Sequence, residues 1–597
     1  MIKSLFSLAS AIVISFCTPF VTTAQQTKTV ASKKNWVNTS DHYTQMLIDL
    51  DEKFSPENNS SQGLVKYDTL ISIPTLANVM AKRKDEEALL IIYQKALKTE
   101  KEVRVIQDLN ILMDYLKLRF RKQDFALKHK ISFENAASIV YDGVADLLDD
   151  QTPAERRPAA VARIIKYAGL VKGYVPITTI LQEQVLKQIS GKDMIYPLKK
   201  KMEDDLSHNS SLLDGISELC RKYKLKGWEE PYAKLRKQIE DYDQWAREHV
   251  LTNARTDFRL SPEEYSMALE THGIDISPVE LVKMGHTAFI DIQNQMKPIA
   301  AQIAQQRHLP SADYQDVIRE LKKEQLYGDS IVPVYESRLK YLEGIIREHH
   351  LITLPNRPAI IRLATAAESA QLPVPYMAPP PLLNNAGQSG IFVLPLNEPA
   401  APGEKSADKF DDFAYKAASW TIAAHEGRPG HELQFDRMVE IGVSKARALY
   451  ADNSTNEEGW AVYSEYITRP YMPLEGRLIS LDYLLLRAAH NYLDPGLQAG
   501  TVTQEQAFKI LTQDVGLSIP FAKIEINFYK IKSPGRANSY FYGFTSMLAL
   551  RAYAQKALAS KFSELRFHDF IISQGLLTPK LLKKAVMNEF VPAEKNR

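Results

Sequence analysis

From about residue 40 to 250, apolar positions recur three and four apart with charges between them, as in DEEALLIIYQKALKTEKEVRVIQDLNILMDYLKLRF. That is the period of amphipathic helices, and it predicts a stack of antiparallel helices. The pattern breaks at FSPENNSSQG, QTPAERRP and SGKDMIYP, where Pro, Gly, Ser and Asn interrupt it. It resumes after about 255, where Ser261-Pro262-Glu263-Glu264 and Ser277-Pro278-Val279-Glu280 both read as helix starts. Between 352 and 402 the character changes. The runs PAIIRLA and GIFVLPL predict short strands, joined by a rigid loop in the proline-rich LPVPYMAPPPLLNNAGQSG. GIFVLPL is the expected sheet edge, open to an extended peptide adding itself as a strand. Beyond it, Phe410, Phe413, Ala414, Ala417, Thr421 and Ala424 fall near one stripe and predict a helix running into His425, with Ser406 or Asp408 as its cap.

The sequence begins with Lys3, an apolar run from Leu5 to Cys17, a break at Pro19 and the small-residue ending TTA before Gln25. This reads as a secretory signal cleaved near Ala24, giving a periplasmic or secreted protein. No later segment approaches the 18 uninterrupted apolar residues of a membrane helix. Removal of the signal leaves Cys220 alone, so no intramolecular disulfide is expected. Lys and Arg total 74 against 72 for Asp and Glu, and a net charge of +2 gives no field that would seek nucleic-acid phosphates.

The candidate chemistry is concentrated in HEGRPGH, at 425–431, and EEGWAVYSE, from Glu457. Two imidazoles, an adjacent carboxylate and a second carboxylate further on are the ligands and base of a catalytic zinc site. His425 and His431 are the natural nitrogen ligands, and Glu426 is the expected general base. For the third ligand Glu457, Glu458 and Glu465 are available, and Glu458 is preferred. Glu465, seven residues on, shares its helical face and is placed to orient a histidine from behind. The spacing is the difficulty. Six residues of regular helix turn roughly 600°, pointing the imidazoles roughly 120° apart. A local bulge at 427–430, built on Pro429 with Gly427 and Gly430, is expected to bring His431 back beside His425. No P-loop, dinucleotide-binding GxGxxG or GxSxG nucleophile motif is present.

HEGRPGHELQ and EGWAVYSE resemble the hallmarks of the domain of unknown function 885 family, bacterial proteins placed among the gluzincin-like zinc metallopeptidases. DFRLSPEEYSMAL, RAAHNYLDPGL, SPGRANSYFYG and LRFHDFIISQGLLTPKLL extend the resemblance from about 40 to 590. The chain departs from it at Glu432 and Gln498, where histidines are common, and at Arg536 in place of the glutamine of PGQA. The charges at 432 and 536 are expected to alter what the cleft accepts. The resemblance implies a zinc hydrolase of short peptides, holding one Zn2+ on His425, His431 and Glu458. In it Glu426 activates water and then protonates the leaving amine, and Tyr540, in the SPGRANSYFYG segment, stabilises the oxyanion, with Tyr542 as the near alternative. Arg487, Arg536 and Tyr542 are candidate substrate contacts, and His568 is a candidate support behind the ligands. Rival readings are an inactive peptide-binding protein of the same fold and a metal-dependent amidase acting on non-protein amides.

The expected fold is mainly α, with two helical halves enclosing a deep cleft and a small β-sheet beside the metal-binding helix in the C-terminal half. The expected divisions are the signal at 1–24, a flexible linker at 25–40, an N-terminal helical region at 41–255 and a catalytic region at 256–597.

Overall fold

The computed structural model describes residues 35–61, 64–148, 152–364, 368–369, 372–382, 385, 387–397, 410–451 and 453–597. The expected signal segment, residues 25–34 and the proposed caps Ser406 and Asp408 lie outside them. The chain is mainly helical, with one three-stranded sheet among the described residues. None of the described helices is long and apolar enough to cross a membrane. The chain divides into two compact units, one ending at Phe258 and one running from Arg259 to Arg597.

In the N-terminal unit the first helix starts at Asn35, inside the stretch expected to be a flexible linker. Val37 and Ser40 are buried, and Ser40 Oγ donates to the Asp108 carboxylate of the Val103–His129 helix. A polar side chain with a buried partner gives this turn a reason to be helical that hydrophobic periodicity does not register. Val140, Ile164, Leu213, Ile216, Leu235 and Ile239, from four helices between 136 and 249, meet in the main core.

Both Ser-Pro starts of the C-terminal unit are complete capping boxes, with Ser261 and Ser277 each exchanging hydrogen bonds with the glutamate three residues on. The second opens the Pro278–Arg307 helix. Its buried positions Leu281, Gly285, Phe289, Ile292, Met296, Ala300 and Ile303 form one stripe, and Gly285 approaches the Leu474–Ala499 helix closely. That partner is buried on every side from Leu478 to Gln498, as a helix at the centre of a large body must be.

The sheet is mixed. β1 (Ile360–Leu363) runs parallel and β2 (Tyr376–Ala378) antiparallel to β3 (Ile391–Leu394), in the order β1-β3-β2. GIFVLPL therefore supplies the central strand, not the edge. Both of its sides are taken, with Arg362 and Tyr376 flanking Val393, and the burial of Phe392, Val393 and Leu394 follows from that position. The second neighbour comes from the proline-rich segment expected to be loop. Gly390 N donates to Asp436 Oδ1 at 2.8 Å, tying the sheet to the His431–Ile441 helix.

Phe410 to Ala417, expected to be helical, are not; the helix begins at Ala418. Their backbone is engaged elsewhere. Leu326 N donates to Ala414 O, Lys416 N donates to Glu324 O, and Tyr415 bridges to Gln325. Groups spent on that pairing cannot also make intrahelical bonds.

The Ser454–Thr468 and Asn538–Leu558 helices cross glycine on glycine. A Cβ on Gly459 would stand 2.6 Å from Gly543 Cα, and one on Gly543 would stand 2.1 Å from Thr455 O. Those obstacles are backbone, so one helix must move. Gly459→Ala is expected to destabilise the protein by about 1–3 kcal/mol, the usual cost of overpacking, measured as a lowered denaturation midpoint.

Candidate metal centre

The helix that starts at Ala418 lasts five residues before widening into a π turn, Ala423–Gly427, that carries His425 and Glu426. π turns are frequent where side chains are aimed at a site. The chain then leaves the helix through Arg428 and Pro429, joined by a cis peptide bond, and a new helix starts at His431. The six-residue spacing is thus met by two helices, not by one. Gly430 packs so tightly under the π turn that a Cβ there would lie 1.8 Å from His425 O. The two imidazole rings stand perpendicular, with centroids 4.9 Å apart.

The Ser454–Thr468 helix closes the group. Glu458 Oε2 lies 3.5 Å from His425 Nε2 and 3.4 Å from His431 Nε2, and the three donor atoms all fall within 4.8 Å of one another. Two ligands of a tetrahedral ion at about 2.0–2.1 Å from it are about 3.3–3.5 Å apart. The observed separations match that value and exceed the usual hydrogen-bond length. The residues fit a divalent metal ion. The surroundings are consistent in charge, since Glu426, Glu458 and Glu465 are all largely buried, an arrangement that calls for compensating positive charge.

Glu465 sets the orientation of His425. Its Oε1 is 2.7 Å from His425 Nδ1, and its other oxygen accepts from Thr421 Oγ1. With Nδ1 as the donor, the Nε2 lone pair is left facing Glu458 and His431, the arrangement that supports a metal ligand. Arg487 Nη2 pairs with Glu465 Oε1 at 3.0 Å. Burial raises the Glu465 carboxyl, but the Arg487 charge and the bond to His425 outweigh it and hold it below its ordinary value. Burial would also depress His425, yet its carboxylate partners Glu458 and Glu465 and the charge of Glu426 push it up to about 9. Glu426 itself is raised, chiefly by burial, against the pull of both histidines.

The expected second-rank residues divide. Tyr540 lines the same cavity as His425, Glu426 and Arg487, with its ring nearly parallel to that of His425 at 6.5 Å. Arg536 Nη2 is 3.6 Å from Glu458 Oε1, so this departure from the family pattern does bear on the centre. Glu432 does not. It is fully buried and gripped at both oxygens by Arg428, at 2.6 and 2.8 Å, so it adds no anion to the cavity. Gln498 is likewise structural, bridging Leu260 N and Tyr529 O. Tyr542 donates to Asp275 and packs with Tyr265, Leu269 and Leu281, which removes it from the expected substrate contacts. His568 bonds Leu351 O and Tyr463 OH at 2.7 and 2.8 Å. Burial lowers it to about 4, so it is a neutral structural group that touches none of the ligands.

Two segments that looked unrelated in sequence meet here. Asp494 of RAAHNYLDPGL accepts from Gly535 N and from Tyr265 OH, and His490 Nδ1 lies 3.2 Å from Ala537 O. These bonds position the start of the helix that presents Tyr540. The cavity, about 190 Å³, is also lined by Lys322, Asp412, Tyr415, Asp482 and Phe521, which sequence reasoning missed. The spacing of Asp482, Leu486 and His490 on one helical face was the available signal for part of this set.

His431→Ala is expected to lose bound divalent metal almost completely, measured as ions per chain. Glu465→Gln is expected to keep the ion but weaken it about 10–100-fold in chelator competition, the usual cost of removing a group that orients a ligand.

No protein with a curated description matches the chain. Two solved structures share its fold, both described as a "putative lipoprotein", that from Shewanella oneidensis being further described as "of unknown function". The Shewanella oneidensis protein is 16% identical, with a TM-score of 0.70 over 93% of this chain and 100% of its own. The protein from Colwellia psychrerythraea is 17% identical, with a TM-score of 0.67 over 94% and 98%. The family model described as "Bacterial protein of unknown function (DUF885)" matches residues 56–586, most of the sequence, and the chain belongs to that family.

Proposed function

We propose that the protein is an exported, gluzincin-like metallopeptidase that hydrolyses short peptides. The observation that carries this reading is the convergence of His425, His431 and Glu458 at tetrahedral-ligand spacing, with Glu426 buried beside them. A zinc ion bound there would act as a Lewis acid on the scissile carbonyl and bring the pKa of water to about 7.

The other roles belong to the chain. The Glu426 carboxylate, only 14% exposed and 3.9 Å from His425 Nε2, is placed to take a proton from the attacking water and return it to the leaving amine. Its burial raises the carboxyl above its ordinary value, which favours a group that can hold the proton before passing it on. Tyr540 offers a hydroxyl to the developing oxyanion. Arg487 holds Glu465 in place and stands 5.8 Å from the centre of the Tyr540 ring, so its first role is support, with its Nε, which has no partner among the described residues, left for a substrate carboxylate. The narrow cavity supports short, unfolded substrates over folded proteins, and the deep-cleft architecture belongs to the same reading.

The test is digestion of a peptide library analysed by mass spectrometry. Glu426→Gln should lower kcat by at least about 10²-fold with metal content unchanged. Equal cleavage by parent and variant would overturn the assignment of the base, and no cleaved peptide with the metal-loaded parent would overturn the peptidase reading. Tyr540→Phe should lower kcat by about 10²-fold and move KM much less.

A further inference from the structure

The cavity has a second polar end that hydrolysis at the metal centre does not use. Along the Leu474–Ala499 helix, Asp482, Leu486 and His490 follow at four-residue intervals, and all three line it. At 1.5 Å per residue, Asp482 lies about 8 Å along the axis from Arg487, whose Nη2 is 3.4 Å from His425 Nδ1. Much of the remaining lining is apolar, including Phe413, Ile422, Val515 and Phe521.

Two polar groups lining this end have no partner among the described residues. Asp482 is 4% exposed and its Oδ1 accepts nothing, and the hydroxyl of Tyr415, with no exposure at all, is also unmatched. Lys322 is nearby but already committed. Its ammonium donates to Asp412 Oδ1 at 2.7 Å, Gly516 O at 3.0 Å and Asp411 Oδ1 at 3.4 Å. Asp412 in turn accepts from Ser518 N and Ser518 Oγ. Lys322 is thus bonded to two carboxylates, and none of its hydrogen bonds goes to Asp482. Burial and the neighbouring Asp412, opposed by the charges of Lys322 and Arg487, push this carboxyl up to about 7.

We propose that this end is a side-chain pocket for a long aliphatic amine, a lysine- or ornithine-like residue beside the bond to be cut, with Asp482 Oδ1 and the Tyr415 hydroxyl receiving its ammonium group. The apolar walls suit the methylenes. The whole cavity, metal end included, holds about 190 Å³, about six waters at liquid density, and the five non-hydrogen atoms of a lysine side chain fit within it. That the amine belongs to a cleaved peptide rests on the hydrolase reading; affinity for an alkylammonium ion does not.

The experiment compares n-pentylamine with its neutral analogue 1-pentanol on the full-length, metal-loaded protein at pH 7, by calorimetry and ligand-observed NMR. The amine should bind the parent at least tenfold tighter than the alcohol. Asp482→Asn should erase that difference, and Tyr415→Phe should reduce it. Equal binding of amine and alcohol to the parent, a comparison that needs no variant, overturns the proposal and leaves a cavity without selectivity for a cation. An amine preference that survives in Asp482→Asn overturns it as well. With peptides, lysine should exceed norleucine at the position beside the cleaved bond at least tenfold in kcat/KM, and the ratio should approach one in Asp482→Asn. Amine selectivity without any peptide cleavage supports the pocket and places the failure in the hydrolase reading.

Discussion

The carbonyl of Pro429 accepts hydrogen bonds from Trp460 Nε1 at 2.9 Å and Ser464 Oγ at 3.2 Å, and the geometry of the candidate centre depends on that grip. Pro429 sits between the two histidines, and Trp460 and Ser464 sit between the two glutamates. One carbonyl thus fixes the position of the imidazole pair relative to the carboxylate pair. All the participants are buried, so water does not compete for the bonds and their loss would leave polar groups without partners. The near-contact of Gly430 with the π turn on one side, and of Gly459 with Gly543 on the other, leaves little freedom for either partner to slide.

Much of this was legible in the sequence, for identifiable reasons. The capping boxes at Ser261 and Ser277 are local, since a serine and a glutamate three residues apart carry their own geometry. The separation of Glu458 and Glu465 is likewise a property of one helix, and it puts the first carboxylate towards both histidines and the second behind one of them. An irregularity between His425 and His431 was also foreseeable, because regular helix cannot bring residues six apart to one point, although the expected bulge is a full break between two helices. What failed was non-local. GIFVLPL has the composition of a strand at either position in a sheet, and only pairing with β1 and β2 makes it central. The stripe from Phe410 to Ala417 has helical spacing, but its backbone is captured by residues about 90 positions earlier. Tyr540 and Tyr542, two apart in one helix, point to different surroundings, which composition cannot distinguish.

The departures from the family pattern also change meaning once they are placed. Glu432 has its own counter-ion four residues back, in Arg428, which is held as well by Glu343 and Arg357 O. The pair is self-contained behind the metal helix and alters no charge that a ligand would meet. Gln498 has exchanged a ring for an amide that satisfies two backbone groups. Arg536 alone lies against a candidate ligand, where its charge competes with a metal ion for the same carboxylate.

The Leu474–Ala499 helix, buried on all its faces, has a consequence for how this scaffold diversifies. Any change in the size of a side chain along it must be absorbed by neighbours on several sides at once, so the helix is the element least free to vary. Relatives that handle other ligands would be expected to remodel the cavity from other elements that line it, such as the segments holding Val374 and Phe521, while this central rod stays as it is.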